Sequence, residues 1–298
     1  MSDLYQAVTD RIVAALEQGA PPWVRPWSTL PEAIPMNAQS RRPYRGVNFA
    51  LLSMEAACHG YDVNRWLTYR QAHELGAQVR RGAHGTTVVF WQLRKVAATA
   101  ETFPDEADPP SLPDKVYPLL RAYTVFNVAQ VDDLPAALTE VAKSSWEPEA
   151  RAEELLLMSG ATVRHGGTKA FYSPSADEIQ LPPRAAFSGP AGYYNVALHE
   201  LTHWTGHTSR CNRLLAGRFG DAAYAAEELI AEMGAAYLCA HCRLDGELRH
   251  ASYLASWLKV LRADKRAIFA AASAAQRAAD YVLRLANPVP DGAIALAA

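Results

Sequence analysis

The segment His199-Glu200-Leu201-Thr202-His203 constrains this chain more than any other. It reads H-E-x-x-H. On a helix, residues four apart lie on one face, so His199 and His203 can point at a common centre. Neutral imidazoles placed in this way supply two of the ligands of a tetrahedral Zn²⁺. Glu200 flanks that centre and is placed to take a proton from a metal-bound water. With nine histidines in 298 residues, chance supplies about 0.015 such matches. The motif is therefore informative, but many families share it, and a third ligand must come from elsewhere.

HExxHxxGxxH proteins take that ligand from a histidine ten residues after the first. Here the position is Ser209, so that pattern fails. His207 follows Gly206, which is expected to break the helix. Glu227-Glu228-Leu229-Ile230-Ala231-Glu232 offers more. Its E-x-x-x-E spacing puts Glu228 and Glu232 on one helical face, Glu228 as a metal ligand and Glu232 accepting a hydrogen bond from a ligand imidazole. The arrangement resembles that of the gluzincins. Glu227, on another face, is the rival ligand. Leu229, Ile230, Met233 and Tyr237 indicate that this helix packs inside its domain. The expected cofactor is one divalent metal: Zn²⁺ suits the site, and two His with a carboxylate also suit Mn²⁺. Tyr224 and His207 are candidate oxyanion donors.

Hydropathy and turn signals predict an α+β chain of two domains. Residues 1–131 form a mixed α+β domain, 132–148 a linker, and 149–298 a mainly helical domain with a small β-sheet. Leu4, Val8, Ile12 and Leu16 mark a first helix over 3–18. Helices follow near 48–59 and 69–75, then over 78–85 a strand that passes into a Gly-punctuated turn, and strands near 86–93 and 116–128, with a Pro- and acid-rich loop over 99–114. Behind the linker come a helix near 149–158, a β-hairpin over 170–182 and the motif helix over 192–205. A helix over 222–242, N-capped by Asp221, and two alanine-rich helices complete the chain. In zincins an edge strand beside the motif helix pairs with extended substrate; Glu178–Leu181 is either that edge or part of a purely structural hairpin. The start of the chain shows no leader, and no apolar run approaches the ~20 residues of a membrane span. The four cysteines suit a reducing compartment, so a cytoplasmic protein with no membrane partner is expected. Cys239-Ala240-His241-Cys242 lacks a second such pair and reads as buried packing. His165 and His250 read as surface residues.

Charge is uneven. Up to Ala98 there are 11 Lys+Arg against 7 Asp+Glu, whereas the remainder holds 18 against 24. Single-stranded nucleic acid is bound by base stacking on aromatics and a cationic track for phosphates. The front domain interleaves the two: Trp23, Arg25 and Trp27; Arg41, Arg42, Tyr44 and Arg45; Tyr69 and Arg70; Arg80 and Arg81. Trp66 and Trp91 read as core.

Taken together, these segments resemble the ArdC-type antirestriction proteins over nearly the whole chain. In front the resemblance is carried by residues 11–19 with Pro22-Trp23 and Pro26-Trp27, then by Tyr44-Arg45-Gly46-Val47-Asn48, Trp66 to Ala72 and Val125-Phe126-Asn127-Val128. Behind, it is carried by Asp177 to Pro182, His199 to His207, Phe219-Gly220-Asp221 and Tyr224 to Glu232. Cys211 departs from the apolar residue expected there. The resemblance implies a plasmid or mobile-element protein that helps incoming DNA evade restriction. It implies a single-stranded-DNA-binding front domain and a zincin-like metallopeptidase domain, with a host protein as candidate substrate. It also implies His199, His203 and a Glu of the 227–228 pair as ligands, with Glu200 as general base. Decoys that mimic DNA are strongly acidic, which this near-neutral chain is not. Two rival readings remain: a DNA-binding shield with a structural or inactive metal site, and a metallopeptidase whose front domain binds protein.

Overall fold

The computed structural model describes residues 3–19, 23, 33–96, 115–139, 148–213, 222–245 and 253–287. The first helix, α1 (Leu4–Glu17), begins at Asp3, whose carboxylate accepts from the backbone N–H groups of Tyr5 and Gln6. Such an N-cap satisfies donors that the first turn leaves unpaired. Strand β1 (Met36–Asn37), helix α2 (Val47–His59) and strand β2 (Arg65–Thr68) follow. Helix α3 (Tyr69–Glu74) opens on a capping box of Thr68 and Gln71. Strand β3 (Gln78–Val79) precedes the two long strands β4 (Thr86–Val96) and β5 (Lys115–Asn127). Strand β6 (Val131–Asp132) and helix α4 (Ala136–Thr139) lead to the segment expected to be a linker, of which residues 140–147 lie outside the described residues.

The front sheet has the order β1-β2-β5-β4, and β3 pairs with β6 in a small ribbon. Strands β4 and β5 are antiparallel from Thr86↔Val125 to Val96↔Lys115. Only the inner end of β5 also pairs with β2, so the two strands continue outward as a ribbon, with β4 at the sheet edge.

The rear half starts with α5 (Pro148–Ser159), β7 (Thr162–His165), β8 (Phe171–Ser173) and β9 (Glu178–Leu181). The expected hairpin forms, but a third strand joins it. β9 pairs in parallel with β7 on one side and antiparallel with β8 on the other. Glu178–Leu181 is thus the central strand, and the expectation that it is a substrate-accepting edge is overturned. Both its flanks already carry ladder hydrogen bonds, so none remain to pair a peptide.

Four helices complete the fold: α6 (Pro190–Trp204), α7 (Ala222–Cys242), α8 (Leu254–Ala263) and α9 (Ala267–Ala286). Pro190 starts α6 at the position where its missing N–H costs nothing. Alanines on α9 and the small residues of α7 let their backbones approach. One hydrophobic cluster runs through both halves. It joins Val8, Ile12 and Leu16 of α1 and Phe49 of α2 to Leu198, Leu229, Trp257 and Ile268 of the rear helices. Gly46 seals the contact: its N–H donates to Gln276 and its carbonyl accepts from the Tyr237 hydroxyl. Among the described residues no helix is long and apolar enough to cross a membrane.

Candidate metal centre

Helix α6 carries His199 and His203 one turn apart, and α7 lies across it. The two helices come close at Gly234, where an added β-carbon would stand 2.5 Å from Thr202 Cγ2. Glycine inside a helix costs about 1 kcal/mol relative to alanine, so close approach is what this residue supplies. The approach brings Glu228 to the two imidazoles. The Nε2 atoms of His199 and His203 are 3.2 Å apart. Each lies 3.6 Å from a carboxylate oxygen of Glu228. One ligand atom from each of the three residues fits within a 4.8 Å span.

The rival carboxylate faces elsewhere. Glu227 Oε1 is 3.1 Å from Nδ1 of His203, on the side of the ring away from the cluster. There it accepts the Nδ1–H, which leaves the Nε2 lone pair pointing inward. Glu227 is itself gripped by Arg213, whose Nε and Nη2 reach its two oxygens at 3.0 and 2.8 Å. The same guanidinium donates to the Thr202 carbonyl and to Thr205 Oγ1, tying the end of α6 to the first turns of α7. Glu232 Oε1 stands 3.8 Å from Nδ1 of His199, the counterpart of Glu227 on the other ring. Arg213 was not among the sequence candidates. It sits in the irregular stretch after Gly206, where no periodicity marks it.

All four carboxylates, Glu200, Glu227, Glu228 and Glu232, are buried. Burial alone would raise the Glu228 pKa, but the imidazoles of His199 and His203 outweigh it and hold the carboxyl down at about 2. Burial disfavours the charged form of His203, yet its bond to Glu227 and the charges of Glu200, Glu227 and Glu228 raise its pKa. Glu227 would also be raised by burial, and its bonds to His203 and Arg213 bring it down. Among the described residues, four buried carboxylates face one guanidinium and two imidazoles. Buried charge persists only when compensated, and a divalent cation among two imidazole nitrogens and a carboxylate supplies that compensation.

Above the cluster, Tyr224 and Tyr253 share a hydrogen bond at 3.1 Å between their hydroxyls. Burial first, then the Tyr253 and Glu228 side chains, raise the Tyr224 pKa, so it stays a neutral donor. His207, the other candidate donor, is turned to Ser209. His165 is exposed and bonds the Tyr193 hydroxyl, while His250 lies outside the described residues. Cys239 and Cys242 are buried, as expected.

The expected nucleic-acid residues divide sharply. Trp23 is fully buried, packed edge-on against Trp257 at 6.1 Å, and Tyr44 is buried under the sheet. Neither ring can stack on a base, which corrects the reading made from their arginine neighbours. Arg25 and Trp27 lie outside the described residues. Arg41 donates to the Ala137 carbonyl, Arg45 pairs with Asp280, Arg70 with Glu74 and Arg80 with Asp132. Arg42, Arg81 and Tyr69 are exposed. Trp66 is core as expected, whereas Trp91 is more than half exposed.

Residues 2–126 match the family described as the N-terminal domain of anti-restriction factor ArdC, and residues 150–274 match the zincin-like metallopeptidase family. Protein y4eC of Sinorhizobium fredii is 44% identical over 94% of this chain and 92% of its own length. A DNA primase TraC of Escherichia coli is 39% identical over 94% of this chain, which spans only 27% of that protein. The crystal structure of the antirestriction ArdC protein from the R388 plasmid, in its metal-free form, superposes with a TM-score of 0.79 at 41% identity, covering 96% of this chain and 98% of that one. Its Mn(II)-bound form superposes with a TM-score of 0.77, also at 41% identity, over 96% and 99%.

Proposed function

The chain belongs to the ArdC-type antirestriction proteins, and from that premise we propose a division of labour between its halves. The front half holds single-stranded DNA as it enters the cytoplasm during plasmid transfer. The rear half is a metal-dependent peptidase that cuts a host protein. The observation that carries the peptidase reading is the convergence of His199 Nε2, His203 Nε2 and the Glu228 carboxylate in one buried cluster. The primase name of the E. coli relatives and the match to the ArdC N-terminal family support the DNA reading.

His199, His203 and Glu228 would hold the divalent metal, Zn²⁺ or Mn²⁺. When bound, that ion supplies Lewis acidity at a carbonyl and lowers the pKa of water. The chain's own residues do the rest. Glu200 takes a proton from the attacking water and returns it to the leaving amine. Glu227 and Glu232 hold the two imidazoles in the tautomer that aims Nε2 inward. Tyr224 donates a hydrogen bond toward the developing oxyanion.

The deciding experiment is an antirestriction assay on Glu200→Gln, run beside metal content and single-stranded-DNA binding. Lost protection with metal, fold and DNA binding intact supports proteolysis. Unchanged protection rejects it in favour of a DNA-binding shield whose metal site is structural or inactive. A front half that binds no single-stranded DNA in a salt-sensitive way sinks the DNA reading and leaves a peptidase with a protein-binding front.

A further inference from the structure

The outward-running ribbon of β4 and β5 carries a surface that none of the motifs predicts. Directly opposed residues of an antiparallel pair share a face, and alternate pairs share it too. By register, Thr86↔Val125, Val88↔Tyr123, Phe90↔Arg121 and Gln92↔Leu119 lie on one face. At its inner end that face is core: Val88 and Val125 pack with Tyr44, Leu52 and Trp66. Two residues further out the cover ends. Phe90 and Tyr123 are each 44% exposed and Leu119 is 40% exposed. The Phe90 ring lies 5.7 Å from that of Tyr123, and the buried Tyr44 ring supports it from within at 6.2 Å.

We propose that Phe90, Tyr123 and Arg121 form the platform on which the bases of single-stranded DNA stack. This rests on the single-stranded-DNA reading given above and assigns it a place. Exposed aromatics on a sheet offer π-faces that every base can use, so binding there is tolerant of sequence. Charge selects the occupant. The two strands together carry Arg94, Lys95, Lys115 and Arg121 and no Asp or Glu. The acids of this region lie in the connecting segment 97–114, outside the described residues. Arg121 sits opposite Phe90, is exposed, and forms no ion pair among the described residues. A second copy of the chain would bring like charge to like charge. A polyanion with flat apolar bases satisfies both the aromatics and the guanidinium.

The test uses the full chain and a fluorescein-labelled dT oligonucleotide across a salt series. Phe90→Ala and Tyr123→Ala each weaken binding by about tenfold, with the salt slope kept, as loss of one stacked base requires. Phe90→Trp restores affinity, which a purely structural role for Phe90 does not predict. Arg121→Gln lowers the salt slope by about one. Trp91→Ala, on the opposite face of the ribbon, leaves binding unchanged. An oligonucleotide carrying 5-iodouracil, irradiated in the complex, forms its adducts on peptides containing Phe90 or Tyr123. If the wild-type chain binds DNA and the alanine variants bind equally well, or the adducts map elsewhere, the platform is rejected and the DNA reading stands. If those variants instead break a dimer while DNA affinity holds, the face joins copies of the chain and the platform is again rejected. If the wild-type chain binds no single-stranded DNA, both fall together.

Discussion

A β-carbon on Gly234 would stand 2.5 Å from Cγ2 of Thr202. That contact, between the middle of α7 and the last turn of α6, sets the distance at which Glu228 faces His199 and His203. Gly234→Ala should therefore act on both stability and metal binding. Overpacking costs about 1–3 kcal/mol, offset by about 1 kcal/mol of helix propensity. Urea unfolding reads the first effect and Mn²⁺ titration the second. A variant as stable as wild type, with unchanged affinity, would show that the crossing does not set the site.

The two adjacent glutamates of α7 should separate cleanly. Glu228→Ala abolishes stoichiometric metal, measured by elemental analysis after dialysis. Glu227→Ala keeps the ion but lowers affinity by about 10- to 100-fold, the effect of losing an imidazole's orienting partner. Arg213→Ala lowers it in the same direction through Glu227. Equal retention in the two glutamate variants would mean that the third ligand has been misassigned.

Stability of the metal-free chain should depend on pH through the same cluster. The folded pKa of Glu228 is depressed from 4.5 to about 2. Its stabilising contribution is thus fully present above about pH 4.5 and is lost as pH falls toward 2. The folded pKa of His203 is raised above 6.5, so its contribution is present below that value and disappears as pH rises through the raised one. Chemical denaturation of wild type and Glu228→Gln from pH 2 to 9 checks both limbs. The difference between them should shrink at the acid end. Metal affinity should instead rise with pH as His203 loses its proton.

Trp23 should behave as a core residue. Trp23→Ala is expected to cost about 3–5 kcal/mol of stability while the folded fraction keeps its affinity for single-stranded DNA. Arg42→Gln and Arg81→Gln are the complementary variants, with stability unchanged and the salt slope of binding reduced by about one each. A Trp23→Ala chain that melts like wild type but fails to bind would return that ring to the DNA surface.

What could be read without the fold was what depends on neighbours along the chain. His199 and His203 share a face because four residues make about one helical turn, whatever surrounds the helix. The ends of α2, α3 and α6 follow from punctuation by Gly60, Gly76 and Gly206, and the spans of α7 and the long strands from residue pattern. The family resemblance lay in the same local segments. Burial was harder to read. Trp23 and Phe90 both sit among aromatics and cations in the sequence, yet one is core and the other is surface, and no local pattern separates them.

The tertiary structure decided whatever needed two distant segments at once. The spacing to Glu232 favours Glu228 as the ligand but leaves Glu227 as its rival. The rotation of α7 against α6, set at Gly234 and Thr202 and locked by Arg213, turns Glu227 toward His203 Nδ1 and Glu228 toward both Nε2 atoms. Strand β9 looked like an edge because its hairpin partner is adjacent in sequence, whereas β7, arriving in parallel from further away, makes it central. Alternation along β4 and β5 showed that the ribbon has two faces. Only the packing of Tyr44, Leu52 and Trp66 decided where the core stops and where Phe90 and Tyr123 meet solvent. Helical turns and strand pleats are properties of the local backbone, whereas facing, register and exposure are set by which remote surfaces the chain brings together.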